Sequence, residues 1–156
     1  MAEEAVAPYL IFDIERVRQL KTEYRASIDF TLELLPAINW DSPKQIQHFF
    51  ARHFQIHLPD VKIRTFEAIR AAHEHDSHLV DILTGAVQYL KLKSTMTNYL
   101  DCILRHIDGD RLNLRDVDGV WMFPNKRPLP TSMEIWACVK SYSAELIPLI
   151  QALQQP

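Results

Sequence analysis

From Ser77 to Asp108 the chain keeps a helical period, with Leu79, Leu83, Ala86, Val87, Leu90, Leu100, Leu104 and Ile107 on one side before Asp108-Gly109 signals a stop. At 1.5 Å per residue such a helix is on the order of 45 Å long, the width of a small domain or more. The rest of the chain must therefore either pack along a spine or carry a projecting arm. Gly85 is the expected weak point within it.

The other segments are shorter. Ile14, Val17, Leu20, Tyr24, Ile28, Thr31, Leu32 and Leu35 predict an amphipathic helix over Asp13 to Leu35, ended by Pro36. The stretch Ile38 to Gln45, INWDSPKQ, is the sharpest local signal. Ser42 is placed as an N-cap, Pro43 as the first helical residue, and Gln45 three positions after the cap. Ile46, Phe49, Phe50 and Phe54 then form the apolar face of that helix. A connector, Val61 to Arg64, leads to Thr65, expected to cap a brief helix with Phe66, Ile69 and Ala72 inward, followed by a polar HEHDSH loop.

After Gly109 the period changes to alternation. Leu112 and Leu114 precede an Asp118-Gly119 turn, and Val120 and Met122 follow it, which predicts a β-hairpin. A proline-rich link leads to Thr131 and Glu134, a second capping-box pattern, and to a final helix with Ile135, Trp136, Val139, Tyr142, Leu146 and Ile150 on its apolar spacing, kinked or interrupted near Pro148. The expected fold class is mainly α, a bundle of about five helices including one very long one, with a small C-terminal β-hairpin. Residues 1–110 form the helical region, and residues 111–156 are the hairpin and last helix packed on the same single domain. A chain of 156 residues with 47% hydrophobic content suits one core.

Charge and cysteine usage narrow the function classes. A net charge of -3 does not advertise nucleic-acid binding, so a basic contact surface must be local. Cys102 and Cys138 lie far apart and suggest reduced thiols. The start MAEEAVAPYL carries acidic residues where a secretory signal carries basic ones, and no long apolar run follows. A cytoplasmic protein without membrane contact is expected.

On the polar side of the long helix, Lys91, Thr95, Asn98, Cys102 and Arg105 follow at spacings of four and three, so Lys91, Ser94, Thr95, Asn98 and Arg105 share a face as small donors flanked by cations. Such a face suits phosphate oxygens, and its bland counterpart is a solvated helix side. The order of the pieces adds to this. INWDSPKQ, a helix, a basic connector with Lys62 and Arg64, and then KLKST at Lys91 to Thr95 closely resembles the thumb region of family A DNA polymerases over residues 10–112. There an Asn-x-x-Ser-Pro-Lys-Gln motif precedes one helix and a Lys-Leu-Lys-Ser-Thr motif lies on a later long helix.

The resemblance implies a grip on the primer-template duplex through its backbone and minor groove. It places Asn39 and Ser42 at the minor groove and Lys91 on the backbone. Lys93, Ser94 and Thr95 stand beside Lys91, and Lys44 and Gln45 belong to the first motif. Ala86-Val87 replaces the family's Tyr-Arg, Met96 stands where an aromatic is common, and the tip loop is short, which implies weaker duplex binding or reuse of the surface.

Palm and fingers are not encoded, and Asp108, Asp110, Asp116 and Asp118 read as turn residues rather than a two-metal site. The expectation is a non-catalytic DNA-binding or polymerase-associated accessory chain, without cofactor or metal, of the kind found as one piece of a split or degenerate phage-type polymerase. Its partner is duplex or primer-template DNA, bound weakly by the chain alone. The alternative is a protein-interaction module that binds a polymerase subunit or a host protein through the same scaffold. The histidines match no zinc spacing. Trp121, Phe123 and Asn125-Lys126-Arg127 read as a covered hairpin face, with a single-strand stacking platform as the other reading.

Overall fold

The structure, a computed structural model, describes residues 8–154, and these are mostly helical. The first seven residues of the N-terminal stretch, on which the export reading rests, lie outside the described residues. The helices are α1 (Ile14–Leu34), α2 (Pro43–Phe54), α3 (Ile63–Ala72), α4 (Ser77–Thr95), α5 (Asp101–His106), α6 (Met133–Trp136) and α7 (Ile147–Gln154). A π-helical turn, Met96–Leu100, joins α4 to α5, so helix runs without a break from Ser77 to His106. The strands are β1 (Tyr9–Phe12), β2 (Arg111–Asn113), β3 (Arg115–Val117), β4 (Val120–Met122) and β5 (Val139–Tyr142). The chain divides into two compact units: Tyr24–Ser94 is one, and the segments before and after it form the other.

The Tyr24–Ser94 unit holds the second half of α1, α2, α3 and α4. Its core is aromatic. Phe50 is fully buried, its ring 6.4 Å from Trp40 in an edge-on pair and 5.9 Å from Phe66. The Trp40 indole N–H donates to the Pro36 carbonyl at 3.0 Å, which satisfies its one polar atom inside the core. Leu79, Leu83, Ala86 and Val87 of α4 are buried as their period requires. The helix continues through Gly85, where a Cβ would lie 2.8 Å from Leu35 Cδ2, so the missing side chain makes room for Leu35. Thr65 does not cap α3. Lys62 is the cap residue, and Thr65 sits inside the first turn, while Ala72 is exposed rather than inward.

In the other unit β1 is the centre of a three-stranded antiparallel sheet of order β2-β1-β5, with Leu10 opposite Leu112 on one side and Tyr142 on the other. Leu10 and Phe12 point into the core, and Leu112, Phe123, Ile135, Cys138 and Leu146 are buried in the same unit. Buried Ser143 accepts the Tyr9 N–H on its Oγ at 3.0 Å and returns its own N–H to the Tyr9 carbonyl at 3.1 Å. The Asp118-Gly119 turn forms as expected, with both residues at positive φ and β3 paired to β4.

Two expectations need correction in this unit. The β structure is more than a C-terminal hairpin: Leu112 belongs to β2 and pairs with β1, so the first hairpin arm is only Arg115–Val117. The final helix does not run through. Ser132 is the cap residue of α6 and makes no side-chain cap bond, α6 is a single turn, and Val139–Tyr142 is a strand. Its β-branched and aromatic ends fit a pleated edge, and β1 supplies the partner that no local pattern announces. A 3-10 turn, Ala144–Leu146, runs directly into α7, so the helical path changes type just before Pro148, as the expected interruption requires; Pro148 itself lies in the first turn of α7, where proline is tolerated.

Candidate nucleic-acid interface

The start of α2 is fastened by its own side chains. Ser42, in extended conformation, accepts the Gln45 N–H on its Oγ at 3.3 Å, and Pro43 occupies the first helical position. The Gln45 side-chain Oε1 accepts the Asn39 N–H at 3.0 Å, and Asn39 Oδ1 accepts the Asp41 N–H at 2.9 Å. The acceptors of Asn39, Ser42 and Gln45 are thus used within the turn. What Asn39 and Gln45, both exposed, still offer to an outside partner are carboxamide N–H donors, the polarity that minor-groove base acceptors require.

INWDSPKQ and KLKST meet in space through a residue outside the predicted set. The Asp41 carboxylate accepts the Tyr89 hydroxyl at 2.7 Å and an ion pair from the Lys93 ammonium. Lys93 also donates to the Tyr89 hydroxyl at 3.3 Å and stands 5.6 Å over its ring. The Lys93 hydrogen bond, then that of Tyr89, holds the Asp41 carboxyl below the ordinary range. Burial works to lower Lys93, but the Asp41 and Tyr89 hydrogen bonds prevail and raise it, while burial followed by the Asp41 contact pushes Tyr89 up.

Asp41→Asn is expected to reduce stability by about 1 kcal/mol or less at neutral pH, since Asp41 and Lys93 are both partly exposed. A carboxyl lowered by folding contributes fully above its unfolded value of about 4 and loses that contribution as pH falls through the folded value. Urea melts of the two proteins should therefore differ at about pH 7 and converge as the pH falls through the lowered titration of the folded Asp41 carboxyl.

A second part of the predicted set gathers at the start of α3. Lys62 and Arg64 line a concavity of about 390 Å³ with Ser94 and Leu90 of α4 and with Val61 and Ile63. Lys62 provides no side-chain cap, so the first turn of α3 presents backbone N–H groups beside the two cations. One carboxylate is near: Asp60 accepts the Thr65 hydroxyl and, at 3.1 Å, the Lys62 N–H, and these two bonds in that order lower its pKa. Lys91 lies 3.5 Å from Glu67 in an exposed ion pair, weak enough for a phosphate to compete.

Thr95, Asn98 and Arg105 belong to the other unit. The π turn between them carries one more residue than α spacing allows, so the run of threes and fours from Lys91 to Arg105 is interrupted, and Cys102, once on that run, is buried. The Asn98 carbonyl accepts the Asn125 side-chain N–H at 2.8 Å, and Arg105 is exposed. The stacking platform does not form: Phe123 is fully buried, 5.3 Å edge-on to Tyr99.

The remaining polar groups have structural roles. Asp116 Oδ1 accepts the Gly119 N–H at 2.8 Å, and Asp108 exchanges backbone hydrogen bonds with Arg111, as turn residues do. Among the described residues no three His, Cys, Asp or Glu side chains gather where they could hold a metal. Cys102 and Cys138 are free and buried, and burial pushes both thiols up. No helix among the described residues is long and apolar enough to cross a membrane. No protein-family model, curated protein or solved structure matches the chain.

The tie at Asp41 was not legible from either motif. Its signal in the sequence is weak: an acid inside the first motif and a lysine inside the second, far apart along the chain.

Proposed function

We propose that this chain is a non-catalytic accessory protein that holds duplex DNA by its backbone, a detached relative of a polymerase thumb working beside a polymerase body carried by another chain. The observation that carries the reading is the shared concavity of Lys62, Arg64 and Ser94 at the first turn of α3. Two cations, a hydroxyl and uncapped N–H groups are what a phosphodiester needs, and none of them reads a base. The fastening of INWDSPKQ to KLKST through Asp41 supports it, because two motifs that act on one duplex must be held in fixed register.

Fluorescence anisotropy with a labelled primer-template duplex tests this. Binding through about three phosphates should weaken some 30- to 50-fold as salt rises from about 50 to about 200 mM. Lys62→Glu with Arg64→Glu is expected to lower affinity at least about tenfold at the lower salt and to flatten the salt dependence by about two phosphates. An absence of binding at low salt, or the same salt slope in the variant, would sink the proposal.

A further inference from the structure

The exposed side of α2 carries a second surface, of which the duplex set uses Lys44 and Gln45 but not His48, Phe49, Arg52 or His53. From Ser42 to Pro59 the chain has no Asp or Glu, although acids outnumber Lys and Arg in the whole protein. Lys44, His48 and Arg52 stand four residues apart on α2, exposed, and none of them is in an ion pair among the described residues. Beside this stripe, Ile38, Phe49 and His53 help to line a concavity of about 290 Å³ whose rim holds the same three cationic or imidazole groups. The Phe49 ring is set by neighbours on its own helix, 5.4 Å edge-on to Phe50 and 4.7 Å from the His53 ring.

We propose that this face docks an acidic peptide segment of a partner protein, which inserts one large apolar side chain between Ile38 and Phe49 and sets carboxylates against Lys44 and Arg52. Charge decides the sign of the occupant: an unneutralised positive stripe on an acidic protein selects an acidic one and repels a basic one. The apolar wall decides its class, because a phosphodiester has no group to fill that wall, whereas a peptide has anchor residues that do. The helical rise puts Lys44 and Arg52 about 12 Å apart, so an extended peptide meets both with acids about four positions apart and the anchor between them. Lys44 and Gln45 are common to this face and the duplex set, so the test rests on His48 and Arg52.

A random peptide library is panned on the full chain, with counter-selection on a His48→Glu, Arg52→Glu double variant whose thermal melt is compared with wild type. Enriched peptides are expected to hold one large apolar residue flanked by Asp or Glu, and a representative one should bind the variant at least about tenfold more weakly. Replacing its anchor by alanine, or its acids by lysine, should lose binding by a similar factor, a readout independent of how the variant folds. Failure to enrich any peptide, enrichment without acids, or equal binding to the variant overturns the proposal. Displacement of the peptide by a single-stranded oligonucleotide that binds the same face more tightly overturns it in favour of nucleic acid. None of these outcomes bears on Lys62 and Arg64, so the two readings stand or fall separately.

Discussion

Phe50→Ala is expected to destabilise the Tyr24–Ser94 unit by about 3–5 kcal/mol. Phe50 has no exposed surface, and its ring neighbours Trp40, Phe49, Phe54 and Phe66 all lie within 6.4 Å centroid to centroid. These partners come from the turn before α2, from α2 itself and from α3, so no single element can shift to refill the cavity. Urea denaturation followed by tryptophan fluorescence checks it, since Trp40 is itself in the cluster. Phe50→Leu should lose roughly a third to a half as much, because most of the volume remains. Equal losses in both variants would show that ring geometry, not volume, carries the stability.

Leu10→Asp is expected to unfold the sheet of the other unit, with a loss above about 4 kcal/mol. Leu10 is fully buried on the central strand, paired with Leu112 on one side and Tyr142 on the other. An ionised carboxylate there would lose its hydration at a fully buried position, and the strand cannot turn it out without also turning Phe12 out, because residues two apart share a face. Hydrogen exchange would report the loss as deprotection of amides in β1, β2 and β5. Leu10→Val, which keeps the apolar face, should cost about 1 kcal/mol and leave the protection pattern intact.

Reading the sequence succeeded where the deciding interactions are close along the chain. Ser42, Pro43 and Gln45 close a helix start within a few residues, and Asp118-Gly119 closes a hairpin within two, so each states its own geometry. The same local logic failed at Thr131 to Tyr142. A capping pattern and an apolar spacing pointed to helix, yet Val139–Tyr142 gains its hydrogen bonds from β1, more than a hundred residues earlier. The candidate site divides in the same way. Lys62, Arg64 and Ser94 were each legible as donors, but their shared concavity depends on how α3 meets α4. The interruption at Met96–Leu100 was invisible because a π turn alters the period without altering the kinds of residue that carry it.

By itself, the sequence determined the long helix and the aromatic face of α2, because side-chain period and capping act over one or two turns. Only the tertiary structure decided that Tyr9–Phe12 is a central strand, that INWDSPKQ and KLKST are joined by Asp41, and that α2 shows an unneutralised positive side. These features rest on pairings between distant segments, whose free energy appears only once the chain has closed on itself.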